Sequence, residues 1–513
     1  MYHFADRRAA ETARPRQIFM ARALAGLVAT GLVWAASVSA QSPATQESSS
    51  QEPSTSQNGL ELEPCHLKNL SEWAECGTFE VLENRDDPTG RRLQLKVAVL
   101  PAAAQPALPD PIFLLAGGPG QSAVSIATLA KRTLGPANKR RDIVLVDQRG
   151  TGESSPFECD LDFEALAFDN EAKRIAVTEC VDGFEGDPLN FRTLDYVRDL
   201  EEVRKAIGAE KIHLYGGSYG TRVAQVYLRE FPQALATATM DGVASMEIRV
   251  GLQMGADAQR SMDILLGLCE DDATCSARFP DLKQRLERLL ADLEQTPQEV
   301  QFVDPATGQS GPTRMDHQLF GFGLRPLLYG SRTQRLIPLL IEQAEQGNWL
   351  GFAGVGNMFM GNLEDSMNLG LLLAVLCTED LAGLVDADIS QEERDSFVGS
   401  TQADEFLGYC AAWPQPPERA DFSTVVSDVP VLLLSGGLDP ATPPYFADQV
   451  AKGLTNSRHL VVETGGHVVG SMGCLPDLIS EFLDTREPDS LDADCLSEIT
   501  FPSFFVSAMG PTS

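Results

Sequence analysis

Short apolar runs alternate with amphipathic stretches along most of this chain. Residues 111–116 and 142–146 are continuously apolar or nearly so, as are 212–215, 238–240, 429–434 and 459–462. Runs of that length, bounded by Gly, Pro and Asp, predict strands buried on both faces of a sheet. Between them lie helical spacings. Leu194, Val197, Leu200, Val203 and Ile207 form one stripe, with Thr193 placed to cap it and Gly208 to end it. Val223, Val226, Tyr227 and Phe231 form another. Strand–helix alternation predicts a mainly parallel sheet with helices on both faces. Ahead of it, 78–82 and 93–99 flank Asp86-Asp87-Pro88-Thr89-Gly90 and predict a hairpin.

The pattern changes near residue 244. Residues 254–268 and 282–293 are amphipathic helices, and helical segments recur at 335–346 and 369–376. Strand signals there are confined to 300–303. The α/β pattern resumes with the run at 429 and closes with a helix near 476–483. The predicted organisation is therefore an α/β core of two parts, 60–243 and 425–513, with a mostly helical cap inserted over 244–424. Residues 41–59 are rich in Ser, Gln, Thr and Pro and read as a flexible linker. In 1–40, Arg7, Arg8, Arg14, Arg16 and Arg22 precede an apolar run and then Val38-Ser39-Ala40, which predicts a signal peptide cut before Gln41. The rival reading, a membrane anchor, needs a longer apolar run, of about 20 residues.

The formal net charge of −33 argues against nucleic acid and anionic membranes as partners, and it favours cationic groups such as a free peptide amine. Export implies an oxidising compartment, so the ten cysteines are expected as disulfides. Taken in order they pair as Cys65–Cys76, Cys159–Cys180, Cys269–Cys275, Cys377–Cys410 and Cys474–Cys495. The rival, zinc, lacks both a C-x-x-C pair and accompanying histidines. No metal or other cofactor is called for.

The candidate chemistry centres on Gly216-Gly217-Ser218-Tyr219-Gly220, set between a buried strand and a helix. This is the nucleophile-elbow pattern: a tight turn lifts the Ser218 hydroxyl above the sheet edge, at a helix N-terminus that favours developing negative charge. Serine needs a base, and the base an orienting carboxylate. The chain order Ser, Asp, His prunes the choice. His66, His213 and His317 precede the resumed sheet, and His459 opens an apolar strand. His467 lies in a glycine loop past that strand. Asp439 follows the preceding strand, whereas Asp448 falls on the next helix as a solvated charge. Gly117-Gly118-Pro119-Gly120 ends the strand at 111–116, so an N–H of Gly117 or Gly118, with that of Tyr219, would form the oxyanion hole.

Together, Gly117-Gly118-Pro119-Gly120, Asp147-Gln148-Arg149-Gly150-Thr151-Gly152-Glu153-Ser154, the elbow, Asp439-Pro440-Ala441-Thr442-Pro443 and Gly466-His467 resemble the prolyl aminopeptidase and tripeptidyl aminopeptidase group of α/β-hydrolases. The resemblance spans roughly 65–495. It implies a serine exopeptidase that removes residues from peptide N-termini, with a helical cap over the site. It also implies an acidic pair for the ammonium group near Cys377, where Glu379 and Asp380 stand. Tyr219 occupies the usual Trp position, and Ala116 the usual His position, so a preference for proline does not carry over. Two other readings remain: an esterase on small acyl esters with the same triad, and a non-catalytic binding module. The residues do not indicate an oligomeric state.

Overall fold

The computed structural model describes residues 59–159, 161, 169–303, 310–356, 367–384 and 386–511. The predicted signal peptide at 1–40, and the linker except Gly59, lie outside them.

Among the described residues, nine strands form one sheet: β1 (Glu63–His66), β2 (Trp73–Leu82), β3 (Arg92–Leu100), β4 (Ile112–Leu115), β5 (Ile143–Val146), β6 (Ile212–Gly217), β7 (Leu235–Asp241), β10 (Val431–Gly436) and β11 (Ser457–Val462). Their spatial order is β1-β2-β3-β5-β4-β6-β7-β10-β11. β2 and β3 form the expected antiparallel hairpin, and β3 meets β5 antiparallel. From β5 to β11 every pairing is parallel.

Alternation along the strands explains why the runs are continuously apolar. In β4, Phe113 and Leu115 face one layer while Ile112 and Leu114 face the other. The first layer contains helices α2 (Thr193–Ala206), α3 (Tyr219–Glu230) and α8 (Pro444–Ala451); the second contains α1 (Ala127–Asn138) and α9 (Leu475–Thr485).

Residues between β7 and β10 build the inserted part. Helices α4 (Met254–Asp271), α5 (Leu282–Gln295) and α6 (Ile337–Glu345) bury Met262, Leu266, Leu286, Leu290 and Ile341 in a core of their own. The sequence pattern did not show that β8 (Gln298–Val303) pairs with β9 (Ser310–Met315). The later part of the insertion behaves differently. Helix α7 (Leu369–Val375) continues as one π-helical turn, 376–380, and its Leu371, Leu373 and Leu376 pack into the sheet core. The excursion before α2 also contains a helix, Asn170–Gly183, which the sequence reading did not place.

All ten cysteines are paired, in the sequential order expected. Among the described residues, no helix is long and apolar enough to cross a membrane, and no cluster of His, Cys, Asp and Glu has the makings of a metal site.

Candidate active site

The elbow is built as its residue types require. β6 ends at Gly217, α3 begins at Tyr219, and Ser218 between them has φ 54° and ψ −124°. A non-glycine residue held there stores strain on the order of 1–3 kcal/mol. The surroundings enforce it. Ser218 N–H donates to the Asp241 carbonyl at 2.9 Å, and the Ser218 carbonyl accepts from Thr221 N–H and Oγ1 at 2.8 and 2.6 Å. A Cβ on Gly216 would run into the Gly220 carbonyl, and one on Gly220 into the Leu115 carbonyl. Strand, turn and helix thus approach too closely for side chains at those two positions.

Asp439 follows β10 and is fully buried. Its Oδ1 accepts the N–H groups of Ala441 and Thr442, both at 2.8 Å, and its Oδ2 accepts Thr442 Oγ1 at 2.7 Å. His467 Nδ1 lies 2.9 Å from Oδ2 and 3.0 Å from Oδ1. Burial alone would raise the Asp439 pKa. The His467 charge and hydrogen bond, with the Thr442 and Ala441 N–H groups, outweigh it and hold the carboxyl below its usual range. A carboxylate facing Nδ1 fixes the proton there, which leaves Nε2 as the basic nitrogen.

Ser218 and His467 flank the Asp241–Gly242 step. Ser218 bonds to the Asp241 backbone, and a Cβ on Gly242 would lie 3.4 Å from the His467 ring. Among the described residues, no hydrogen bond joins Ser218 Oγ to Nε2; such bonds often tighten only when substrate docks. Asp241 links the two loops. Its backbone carbonyl holds Ser218, its Oδ1 takes Val469 N–H at 2.8 Å, and its Oδ2 takes Gly470 N–H at 2.6 Å and the Tyr215 hydroxyl.

The loop expected to supply the oxyanion hole lies against the serine: a Cβ on Gly117 would be 3.2 Å from Ser218 Cβ. Gly117 N–H is taken by Gln121 Oε1 at 3.3 Å. Gly118 N–H has no partner among the described residues, nor has that of Tyr219, the first residue of α3. Of the two expected glycines, Gly118 is therefore the one with a donor free. Buried Asp147, from the Asp147–Ser154 motif, pins the far side of this loop by accepting Ser122 Oγ and Val124 N–H at 2.7 and 2.8 Å.

The inserted part touches all three loops. Ser261 Oγ and Arg260 donate to carbonyls of 437–439. His467 N–H donates to the Tyr329 carbonyl, and Asn368 N–H to that of Gly120, each at 2.8 Å. Tyr329 also meets the His467 ring edge-on at 5.0 Å.

Two expectations need correction. Thr193 does not cap α2: Arg192 holds the cap position, and the Thr193 hydroxyl turns inward to Glu379 and the Tyr219 hydroxyl, both at 2.8 Å. Glu379 and Asp380 do not stand as free carboxylates for an ammonium group. Glu379 is buried and accepts Thr193 N–H and Oγ1, and burial pushes its pKa up to about 7. Both Asp380 oxygens accept Arg222 Nη1 at 2.7 and 2.8 Å, and Oδ1 also takes Val250 N–H. Asp448 lies on the next helix with a largely exposed side chain, as expected, and it pairs with His459 Nδ1 at 2.9 Å while Nε2 of that ring meets Ser435.

Comparison with known proteins agrees with this fold. Residues 110–275 match the α/β hydrolase fold family, and 395–495 match the family described as TAP-like protein. The chain has the α/β-hydrolase fold. It is 27% identical to serine protease Hip1 of Mycobacterium tuberculosis over 475 residues, 83% of this chain and 88% of that protein. It is 25% identical to tripeptidyl aminopeptidase of Streptomyces lividans over 489 residues, 86% and 87% of the two chains. Carboxylesterase B of Mycobacterium tuberculosis is 26% identical over 469 residues, 82% and 86%. This hydrolase thus resembles proteins named for both peptide and ester hydrolysis, along most of its length and theirs.

The roles of Thr442, Asp241, Gln121 and Thr193 escaped the sequence reading. Thr442 alone had a local signal, since it follows Asp439 at a turn spacing. The others act through folding that no short motif encodes.

Proposed function

We propose that this hydrolase is an exported serine peptidase that releases residues or short peptides from the free N-terminus of peptide substrates. The observation that carries the chemistry is the Asp439–His467 hydrogen bond behind the Ser218 elbow. The Ser218 Oγ–H proton passes to His467 Nε2 as Oγ bonds to the scissile carbonyl carbon. The carbonyl oxygen takes up negative charge facing the Gly118 and Tyr219 N–H groups; one such donor is worth about 10²–10³ in rate. The C–N bond then breaks, and the leaving amine takes the proton from His467. Water adds to the acyl-enzyme by the same base and expels the Ser218 oxygen. The chain's own residues complete this cycle.

The likeness to tripeptidyl aminopeptidase and the strongly acidic chain, which draws ammonium groups, support release from the N-terminus. The five disulfides are compatible with export, and the signal-peptide pattern expected over 1–40 supports a location in the periplasm or outside the cell. Product analysis on one peptide series with free and acetylated N-termini is the test. Cleavage of free peptides only is expected; equal cleavage of both would remove the exopeptidase reading. The carboxylesterase likeness favours ester hydrolysis as the second reading. Faster turnover of short acyl p-nitrophenyl esters than of aminoacyl p-nitroanilides would support it instead.

A further inference from the structure

Beside α3 lies a cavity of about 210 Å³ whose lining includes Arg249, Glu379, Asp380, Arg419 and Phe422. Its charge runs against that of the chain. The one firm negative charge, Asp380, is already matched by Arg222. Glu379, with its raised pKa, is only partly ionised near neutral pH. Arg249 and Arg419 are left over: neither forms an ion pair among the described residues. The Arg249 guanidinium lies 3.8 Å from the centre of the Phe422 ring, and its buried Nη1 has no hydrogen-bond partner. Burial, then the nearby charges of Arg222 and Arg419, oppose Asp380 and lower the Arg249 pKa.

We propose that this cavity binds a compact oxyanion, a carboxylate or a phosphate-type group, held by Arg249 and Arg419. The geometry fits that class. A guanidinium presents planar paired donors that match two oxygens of one anion, and an aromatic face beneath fixes the plane. The unpartnered Nη1 then gains the acceptor that a buried donor needs. The volume equals roughly seven waters, at about 30 Å³ each, which suits an inorganic phosphate or the end group of a peptide. An ammonium group would meet an excess of like charge there. In an acidic chain the general field repels anions, so retention must come from this local cluster. The site borders the catalytic layer without belonging to it. Arg222, which holds Asp380, lies one helical turn past Ser218, and Glu379 joins Tyr219 through the Thr193 hydroxyl.

The test uses the full-length Ser218→Ala protein, so that no ligand is turned over. Its melting temperature is followed against inorganic phosphate, against an N-acetyl tripeptide with a free C-terminal carboxylate, and against the same peptide as its carboxamide. Chloride holds the ionic strength constant. A saturable rise is expected with phosphate, with the carboxylate peptide or with both, and none with the carboxamide. Arg249→Gln and the surface change Arg419→Gln should each weaken it at least tenfold, and Arg249→Lys should weaken it less than Arg249→Gln. A response to the peptide carboxylate assigns the anion to a substrate or product end; a response to phosphate alone assigns it to a free anion. Identical responses in Ser218→Ala and in its Arg419→Gln derivative, or no saturable response, overturn the proposal. Fluorophosphonate labelling of the wild-type serine is independent of this outcome, so a failure here leaves the peptidase reading standing.

Discussion

Asp241 shows how much of the site is held by a residue outside the triad. One carboxylate receives two N–H groups of the loop bearing His467, and its own backbone receives Ser218. Asp241→Asn places an N–H₂ where an acceptor is needed. Hydrogen bonds to charged groups are worth about 1.5–3 kcal/mol each. The variant should lose about that much stability in a denaturant melt, and kcat should fall about tenfold or more with KM little changed. A rise in KM alone would contradict the positioning role. Glu379 carries a pH prediction. Burial raises its folded pKa to about 7 from 4.5, so the folded state binds the extra proton between those values. Its contribution is therefore fully present below about pH 4.5 and is lost as pH rises through 7. Glu379→Gln should gain melting temperature relative to wild type at pH 8, and less at pH 5. An equal difference at both pH values would refute the shift. At this scale the sequence made Ser218, Asp439 and His467 legible, because each sits in a short motif at a strand end. Glu379 misled it: an acidic pair on a helix looks free until the Arg222 and Thr193 that face it, more than 150 residues away, are seen.

The elements that carry the site were legible where period and length agreed. β4, β6 and β10 are buried on both faces and fall within one or two residues of their apolar runs. β9 was not: it includes Ser310, Gly311 and Pro312, residue types poor in strands, and it pairs only within its hairpin. The Asn170–Gly183 helix fully buries only Lys173 and Val177, with Ala176, Cys180 and Val181 half-buried beside them, a stripe too short and too weakly apolar to stand out in the sequence. The π-helical turn at 376–380 is likewise invisible to a 3.6-residue period, yet it holds Glu379 and Asp380. Cys377–Cys410 ties that turn to the helix Thr401–Cys410. Closing a loop of this length is worth about 3–4 kcal/mol in the chain-entropy account. Replacing both cysteines by serine should lower stability by about that amount under denaturant. A loss below about 1 kcal/mol would show that packing alone fixes the turn.

Over the whole molecule, the sheet supplies three loop ends on one edge and the inserted part bears on all of them. Leu438, beside Asp439, packs into the core of the insertion rather than that of the sheet. Arg260, Ser261, Tyr329 and Asn368 then bond to the acid, histidine and oxyanion loops. Such long-range contacts leave no trace in spacing, so the sequence predicted a cap without showing which part of it touches the site. The disulfide order was legible because each pair closes a local loop. All ten thiols are paired, so thiol titration of the unfolded, unreduced protein should find none free. A stoichiometric free thiol would contradict the five-disulfide pairing.

The central claim is that Ser218 is a nucleophile activated by His467, itself oriented by Asp439. Intact-mass analysis after exposure to a fluorophosphonate tests it most directly. One adduct per chain is predicted, located on Ser218, absent in Ser218→Ala and formed far more slowly in His467→Ala. A folded protein that gains no adduct at Ser218, or gains it at an unchanged rate without His467, would contradict the account.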